Sequence, residues 1–174
     1  MKIGNVQIEN FTVLAPLAGI TNLPLRLLAK RAGCGLVCSE MISSNGLVYR
    51  QPKTLKMIES HPSEKPLSLQ IFGVKPEIMA EAAAMVEHAG VDILDINFGC
   101  SVRKIVKSGS GVGLMRAPKL AESVLKAVRR AIRIPLTIKI RTGWEPTGRQ
   151  AHEIAEIAEA CGVDAIAVHP RTAQ

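Results

Sequence analysis

The sequence predicts an α/β protein built as a TIM (β/α)8 barrel, truncated here after about six strands and preceded by a β-hairpin. Short apolar strands alternate with helices, which is typical of βαβ units and a parallel sheet. The late strands also carry polar residues at alternate positions up to their carboxyl ends, and a barrel builds its active site from such strand ends. An open doubly wound sheet, the alternative, would more often carry a glycine-rich turn after its first strand, where Gly19 stands alone.

The first third of the chain predicts a hairpin and two short strands. Apolar residues alternate with polar ones around Gly4-Asn5, which indicates the hairpin, and residues 11–17 form an apolar run that reads as a strand. Thr21 or Asn22 can cap a helix over residues 24–32, which Gly33 ends. A second strand is predicted over residues 36–38, and several short helical segments are predicted within residues 43–61.

The remainder of the chain is more regular. Strands are predicted over residues 67–72, 93–97, 136–141 and 165–169, and helices over residues 76–89, 118–131 and 149–161. Pro76 stands at a first helical turn, while Gly90 and Gly162 follow the ends of two helices.

Composition limits the possible functions. With 174 residues, 47% of them hydrophobic, the chain can bury a core as one domain over residues 1–174. A formal net charge of +7 favours a polyanionic partner such as nucleic acid, whereas 3% aromatic residues argue against a base-stacking platform. No apolar run approaches the roughly 18 residues of a membrane span. Four cysteines without zinc-type spacing predict a reduced, cytoplasmic protein with no metal site.

Strand parity points to one functional edge. Residues at alternate positions of a strand face the same side of the sheet. The polar residues that share a side within their strands are Ser68 and Gln70, Asp95 and Asn97, and Thr137, Lys139 and Arg141, and His169 ends the last strand similarly. Four strands that present polar groups at their carboxyl ends predict a ligand site there.

Lys139 is the most informative single residue, because an ammonium in mid-strand is desolvated unless it is paired. It either forms a salt bridge with an inward carboxylate such as Asp95 or Glu40, or faces a ligand that gains negative charge. Gln70 either binds an amide-like ligand edge or is a satisfied core amide. His169 either contacts phosphate or caps a strand end.

The strand over residues 93–97 ends in an unusual sequence. Asn97 is followed by Gly99 and Cys100, and then by a predicted flexible cationic loop with Arg103, Lys104 and Lys107 and a glycine-rich turn. An amide, a thiol and a basic loop at one strand end predict the catalytic lip of a barrel strand. The alternative for a cysteine, a buried small hydrophobe, suits Cys34 and Cys38 better.

The motifs at the strand ends resemble those of the bacterial tRNA-dihydrouridine synthases, and most closely the B-type enzymes. These motifs are Ala15-Pro16-Leu17-Ala18-Gly19, Ser39-Glu40-Met41, Gln70-Ile71-Phe72-Gly73, Asn97-Phe98-Gly99-Cys100, Lys139-Ile140-Arg141 with Gly143-Trp144, and His169-Pro170-Arg171-Thr172. The resemblance covers essentially the whole chain in the correct order. It implies an FMN-binding (β/α)8 barrel followed by a helical tRNA-binding domain, and reduction of tRNA uridines to dihydrouridine with NADPH.

The resemblance also implies a role for each residue. Pro16, Leu17 and Ala18 would lie against the flavin, Gln70 would hydrogen-bond the isoalloxazine, Lys139 would face its N1 and C2 carbonyl, and His169 would reach ribityl or phosphate. Asn97 and Arg141 would hold the target uracil, and Cys100 would donate the proton. A thiol suits that task, since it is mostly protonated at neutral pH.

The resemblance implies further that the last two βα units and the helical domain lie beyond residue 174. The unpaired first and last strands would then invite self-association. Two alternatives remain open. The chain is a non-catalytic truncated fragment that binds RNA weakly, or it is another FMN-barrel oxidoreductase such as a dihydroorotate dehydrogenase.

Overall fold

A computed structural model describes residues 1–173 of the chain. The chain begins with a short β-hairpin. Strands β1 (Lys2–Ile3) and β2 (Val6–Gln7) pair antiparallel, as the alternating pattern predicts. Gly4 takes a φ of 53° in the turn, which favours glycine. Ile3 and Val6 pack against the small buried cluster of Ile8, Leu36 and Ile93, so the hairpin covers the amino end of the sheet that follows.

A curled sheet of six parallel strands forms the centre of the fold. The strands are β3 (Val13–Leu14), β4 (Leu36–Ser43), β5 (Leu67–Phe72), β6 (Ile93–Phe98), β7 (Leu136–Gly143) and β8 (Ala165–Thr172). Each strand pairs with the strand next to it in sequence, from β3 at one end to β8 at the other. The predicted barrel truncated after six strands is confirmed as a half-barrel of this topology.

The helices connect consecutive strands and cover the outer face of the sheet. They are α1 (Leu23–Arg31), α2 (Ser44–Val48), α3 (Pro52–Leu55), α4 (Pro76–His88), α5 (Arg103–Lys107), α6 (Pro118–Ala131) and α7 (Arg149–Ala160). Short 3-10 segments occupy Lys56–Ile58, Pro62–Glu64 and Gly111–Arg116. Asn22 caps α1, since its side-chain oxygen accepts a hydrogen bond from the Leu25 amide at 3.2 Å.

The main core lies between the outer face of the sheet and helices α4, α6 and α7. Every residue of β6 is buried, because helices cover one face and the interior of the half-barrel lies on the other. The side chains of Leu94, Ile96 and Phe98 are fully buried in this core. The residues of β6 between them, Asp95 and Asn97, therefore face the interior.

Two predicted features need correction. The basic segment after Cys100 is not a flexible loop, since Arg103–Lys107 forms the short helix α5, anchored by buried Ile105. Strands β4, β6, β7 and β8 extend beyond their predicted ends, whereas β3 covers only Val13–Leu14 of the predicted residues 11–17. Pairing of Gly143 with Thr172, beyond the predicted ends at Arg141 and His169, prolongs the last two strands.

A buried ion pair joins α1 to the segment before β5. Arg26 Nε lies 2.5 Å from Glu64 Oε2, and both side chains are almost fully buried. Arg26 also donates to the Thr21 carbonyl at 3.0 Å, and Glu64 accepts from the His61 amide at 3.0 Å. These additional bonds compensate the desolvation of both charges. Among residues 1–173, no helix combines the length and apolar composition needed to cross a membrane.

Candidate active site at the carboxyl edge of the sheet

A cavity of about 520 Å³ opens at the carboxyl edge of the sheet, and we call it the mouth cavity. Its walls include every residue that the sequence predicts for the site: Pro16, Leu17, Ala18, Gln70, Asn97, Cys100, Lys139, Arg141 and His169. These residues come from the turn after β3, from β5, from β6 together with the turn that follows it, from β7 and from β8. The structure therefore brings together five separate segments of the chain at one opening.

Lys139 faces this cavity without a carboxylate partner. No ion pair joins its ammonium to any carboxylate of residues 1–173, so the predicted alternative of a salt bridge to Asp95 or Glu40 is wrong. Partial burial lowers the pKa of Lys139, although the charge of nearby Asp95 acts in the opposite direction. An ammonium held in this way stabilises negative charge on a neighbouring group.

A chain of buried hydrogen bonds runs along the inner face of the sheet. Thr137 Oγ1 and Gln70 Nε2 donate to the two oxygens of Asp95, each at 2.6 Å. Asn97 Nδ2 in turn donates to Gln70 Oε1 at 2.7 Å. Gln70 therefore satisfies part of its hydrogen-bonding capacity as a core amide does, while one N–H group and one lone pair of its side chain form no hydrogen bond with another group of residues 1–173.

The same chain continues into the turn that carries Cys100. Asn97 Oδ1 accepts hydrogen bonds from the amides of Gly99 at 3.2 Å and Cys100 at 2.8 Å. On the other side of the turn, the Cys100 carbonyl accepts from the Val112 amide at 3.0 Å. The thiol forms no hydrogen bond with another group of residues 1–173, while its backbone is held on both sides.

The 3-10 segment Gly111–Arg116 packs against the Cys100 turn, to which it is joined by the hydrogen bond from the Val112 amide. Trp144 Nε1 donates to the Val112 carbonyl at 3.0 Å, and Arg116 lies 3.5 Å above the centre of the Trp144 ring. Gly111 has a φ of 60°, and a β-carbon there would lie 2.5 Å from the Cys100 carbonyl oxygen. The backbone of this segment can approach the turn closely because position 111 has no side chain.

Arg141 and His169 line the mouth cavity together with Lys139. Arg141 Nε donates to the Gly99 carbonyl at 2.8 Å and Nη1 to the Thr172 carbonyl at 2.5 Å, which leaves other guanidinium N–H groups for a ligand. Desolvation, together with the charges of Lys139, Arg141 and Arg171, lowers the pKa of His169. This part of the mouth cavity therefore suits an anionic ligand.

The apolar wall consists of the turn after β3. The amide of Gly19 donates to Glu40 Oε2 at 2.5 Å, and the Leu17 amide donates to Thr21 Oγ1 at 3.1 Å. These bonds fix the turn so that Pro16, Leu17 and Ala18 border the cavity. Glu40 is thereby engaged by the backbone rather than by Lys139.

A second cavity of about 440 Å³ lies at the amino end of the same interior, and we call it the floor cavity. Cys38, Ser68, Asp95 and Thr137 border it, and Lys139 borders both cavities. Burial raises the pKa of Asp95 to about 6, against the opposing effects of its hydrogen bonds and of Lys139. Burial, followed by the charge of Asp95, raises the pKa of the Cys38 thiol to about 12.

Some residues of the mouth cavity were given no role in the site by the sequence, although Met41 and Pro170 belong to the motifs that carry the family resemblance. Met41, Val168 and Pro170 line it, and the Met41 sulfur lies 3.9 Å from Asn97 Nδ2. The alternation of residues along β6 predicts that Asp95 faces the interior. Its position between Gln70 and Thr137, however, depends on the register of the neighbouring strands. Among the described residues, no cluster of three or more histidine, cysteine or carboxylate side chains could hold a metal ion.

Comparison with known proteins gives matches along the whole chain. A family model described as dihydrouridine synthase (Dus) matches residues 13–174. The tRNA-dihydrouridine synthase B of Shewanella oneidensis is 44% identical over 174 residues, which are 100% of this chain and 54% of that protein. The protein of the same name from Escherichia coli K12 is 42% identical over 99% of this chain and 54% of its own length. The chain thus spans about half the length of the curated relatives it matches.

Solved structures of more distant proteins share the fold. A phosphonopyruvate hydrolase in complex with oxalate and Mg²⁺ superposes with a TM-score of 0.63 at 17% identity, over 92% of this chain and 58% of that one. The carboxyl transferase domain of Rhizobium etli pyruvate carboxylase with pyruvate gives 0.54 at 18% identity, over 82% of this chain and 22% of that one. At such identities the likeness concerns the fold alone.

Proposed function

Because the chain belongs to the dihydrouridine synthase family, we propose that the protein reduces uridines of tRNA to 5,6-dihydrouridine with FMN and NADPH. The observation that carries the proposal is the mouth cavity, where an unpaired ammonium, a thiol, two amides and an apolar wall line one opening. The names of the relatives, each a tRNA-dihydrouridine synthase B, support tRNA as the substrate.

The lining of the mouth cavity fits a flavin. A flat apolar ring system requires an apolar wall, which Pro16, Leu17 and Ala18 provide. An electron-rich ring edge requires a cation that is not already neutralised, and Lys139 has no carboxylate partner within residues 1–173. The remaining N–H group and lone pair of Gln70 suit a ring edge with both donors and acceptors.

FMN, when bound here, would supply the hydride that uridine reduction requires, and NADPH would restore its reduced form. Lys139 and Gln70 would bind the polar edge of the ring. His169, together with the cations beside it, would bind the ribityl phosphate. Residues 1–174 would thus form the FMN-binding part of the barrel.

The substrate side of the cavity is assigned to three residues of the chain. Arg141 would bind a uracil carbonyl with a guanidinium N–H that its two backbone bonds leave available. Asn97 would contribute the N–H that now makes only a weak contact with the Met41 sulfur at 3.9 Å. Cys100 would then give the proton of its thiol to C5 of the uracil.

The proposal is tested with the intact protein and its Cys100→Ala variant, for which uridine reduction is expected to fall about 100-fold or more through loss of the general acid. Cys34→Ala is the matched control, because Cys34 Sγ bonds the Leu36 carbonyl away from the cavity. The measurements are flavin absorbance after purification and dihydrouridine content of tRNA from cells that carry each variant.

Each outcome separates the candidate functions. An intact protein that binds no flavin, or a Cys100→Ala variant with undiminished activity, would contradict the proposal. Salt-sensitive tRNA binding without flavin would favour a non-catalytic RNA-binding protein. Oxidation of dihydroorotate without uridine reduction would favour the other class of FMN barrel.

A further inference from the structure

We propose that Asp95 is a positioning residue that sets the direction of a hydrogen-bond relay through Gln70 and Asn97 to the backbone of Cys100. The proposal rests on the proposed function only in that this function gives the Cys100 thiol its chemical role. The relay itself follows from four buried groups on neighbouring strands, in the register Gln70 opposite Asp95 and Asp95 opposite Thr137.

The direction of the relay follows from its two ends. An ionised carboxylate only accepts hydrogen bonds, so Gln70 must turn its NH2 group toward Asp95 and its oxygen toward Asn97. At the other end, the amides of Gly99 and Cys100 only donate, so Asn97 must turn its oxygen toward them. Both side-chain amides then point the same way, and every link has one donor and one acceptor.

The interior makes this direction costly to break. Asp95, Gln70 and Asn97 are 6%, 1% and 8% exposed, so a link that is lost from the relay leaves a largely buried polar group without its partner. Lys139 forms no ion pair with Asp95, and the carboxylate oxygens are engaged by Gln70 and Thr137 instead. Asp95 therefore reaches the Cys100 turn through two intervening side chains rather than through a charge contact at the mouth.

A reversal experiment tests the direction. Asn97→Asp alone places an acceptor at both ends, so the oxygen of Gln70 must face one of the two carboxylates. Asp95→Asn alone is mild, because Thr137 can rotate its hydroxyl. The double variant Asp95→Asn/Asn97→Asp permits the whole relay to reverse. The new amide at position 95 donates to Gln70, which donates to the new carboxylate at position 97, and that group still accepts from the Gly99 and Cys100 amides.

The expected result is a strong non-additivity in the unfolding equilibrium, measured with urea on the cofactor-free protein. Asn97→Asp raises the unfolding equilibrium constant by about 100-fold, and the double variant returns to within about tenfold of the parent. If the two single effects simply multiply, the relay is overturned. If Asn97→Asp does not fold, the double variant must fold, and failure of both also overturns the proposal.

A second measurement tests whether the relay reaches Cys100. Selective ¹⁵N-cysteine labelling follows four amides, of which Cys161, bonded to the Ile157 carbonyl at 3.0 Å, is the internal reference. Asp95→Leu is expected to accelerate exchange of the Cys100 amide about tenfold relative to Cys161. Thr137→Val, which removes the other bond to Asp95, is the matched control and leaves that ratio within about twofold.

Equal exchange ratios in Asp95→Leu and the parent would overturn the positioning role. Neither measurement needs flavin or tRNA, so failure of the relay leaves uridine reduction untouched as a proposal. Conversely, an inactive protein whose relay reverses as described would overturn the proposed function and leave the relay in place.

Discussion

The two ends of the half-barrel interior use the same strand parity for opposite purposes. At the floor cavity, both oxygens of the Asp95 carboxylate are satisfied, one by Thr137 of the same cavity and one by Gln70 of the mouth cavity. In the mouth cavity, the ammonium of Lys139 and the thiol of Cys100 have no hydrogen-bonding partner among residues 1–173. Inward-facing polar residues therefore do not by themselves identify a ligand site.

The two thiols of the interior make the same point. Cys38 lies at the floor, 8% exposed, and burial raises its pKa to about 12, which leaves it without thiolate character. Cys100 follows a strand end at the mouth, with its backbone held and its side chain bordering the cavity. The two thiols therefore differ in their access to the mouth cavity, and this access depends on the position of each cysteine along or after its strand.

The largest effect is expected from Lys139→Met, which removes the unpaired cation of the mouth. Uridine reduction should fall about 100-fold, because a fixed positive charge no longer faces the ligand. The unfolding free energy should rise, since burial lowers the pKa of Lys139 and the charged form therefore destabilises the fold at neutral pH.

Lys2→Met serves as the control for this prediction, because Lys2 borders only the floor cavity and is exposed. Dihydrouridine content and urea denaturation measure the two effects. Equal losses of activity in Lys139→Met and Lys2→Met would contradict the prediction that the mouth cavity, and not the floor cavity, binds the ligand.

A smaller effect is expected from the titration of Asp95 at the floor. Its pKa rises from 3.8 to about 6 on folding, so the folded state binds the proton more tightly. Stability should therefore fall as pH rises from about 4 to about 6, by about 3 kcal/mol in total. The Asp95→Asn variant should lack this contribution. Urea denaturation of both proteins across this pH range measures it, and parallel curves would contradict it.

The smallest effect concerns the support of the Cys100 turn. Gly111→Ala combines a φ of 60° with a β-carbon 2.5 Å from the Cys100 carbonyl oxygen, so it should destabilise the fold by about 3 kcal/mol. Gly148→Ala has a similar φ of 72° but no heavy atom within 4 Å, and should cost about 1 kcal/mol. Comparable unfolding free energies of the two variants would show that the close approach to Cys100 is unimportant.

The parallel strands and their inward faces could be predicted because alternation within a strand is a local property. The bounds of β5 and α6 agree with the prediction, since apolar runs and an initial proline mark them. Helix α5 could not be predicted, because no side chain caps it and it is anchored by the packing of Ile105 and Val106 in the folded chain.

The members of the site could be predicted, but their partners could not. The pattern of β7 indicates that Lys139 faces inward, yet whether Asp95 pairs with it depends on which residues stand opposite in neighbouring strands. That register places Gln70 and Thr137 beside Asp95, and their hydrogen bonds leave Lys139 to the cavity. Such competition between neighbours is settled by tertiary structure, which a single sequence does not display.

The sequential order of the strands has a consequence for biosynthesis. Each of β4 to β8 pairs with the strand translated immediately before it, so no strand has to wait for a distant partner. When the ribosome releases a βα unit, the strand with which it pairs has already been synthesised. The strands can therefore be added to the sheet in the order of translation.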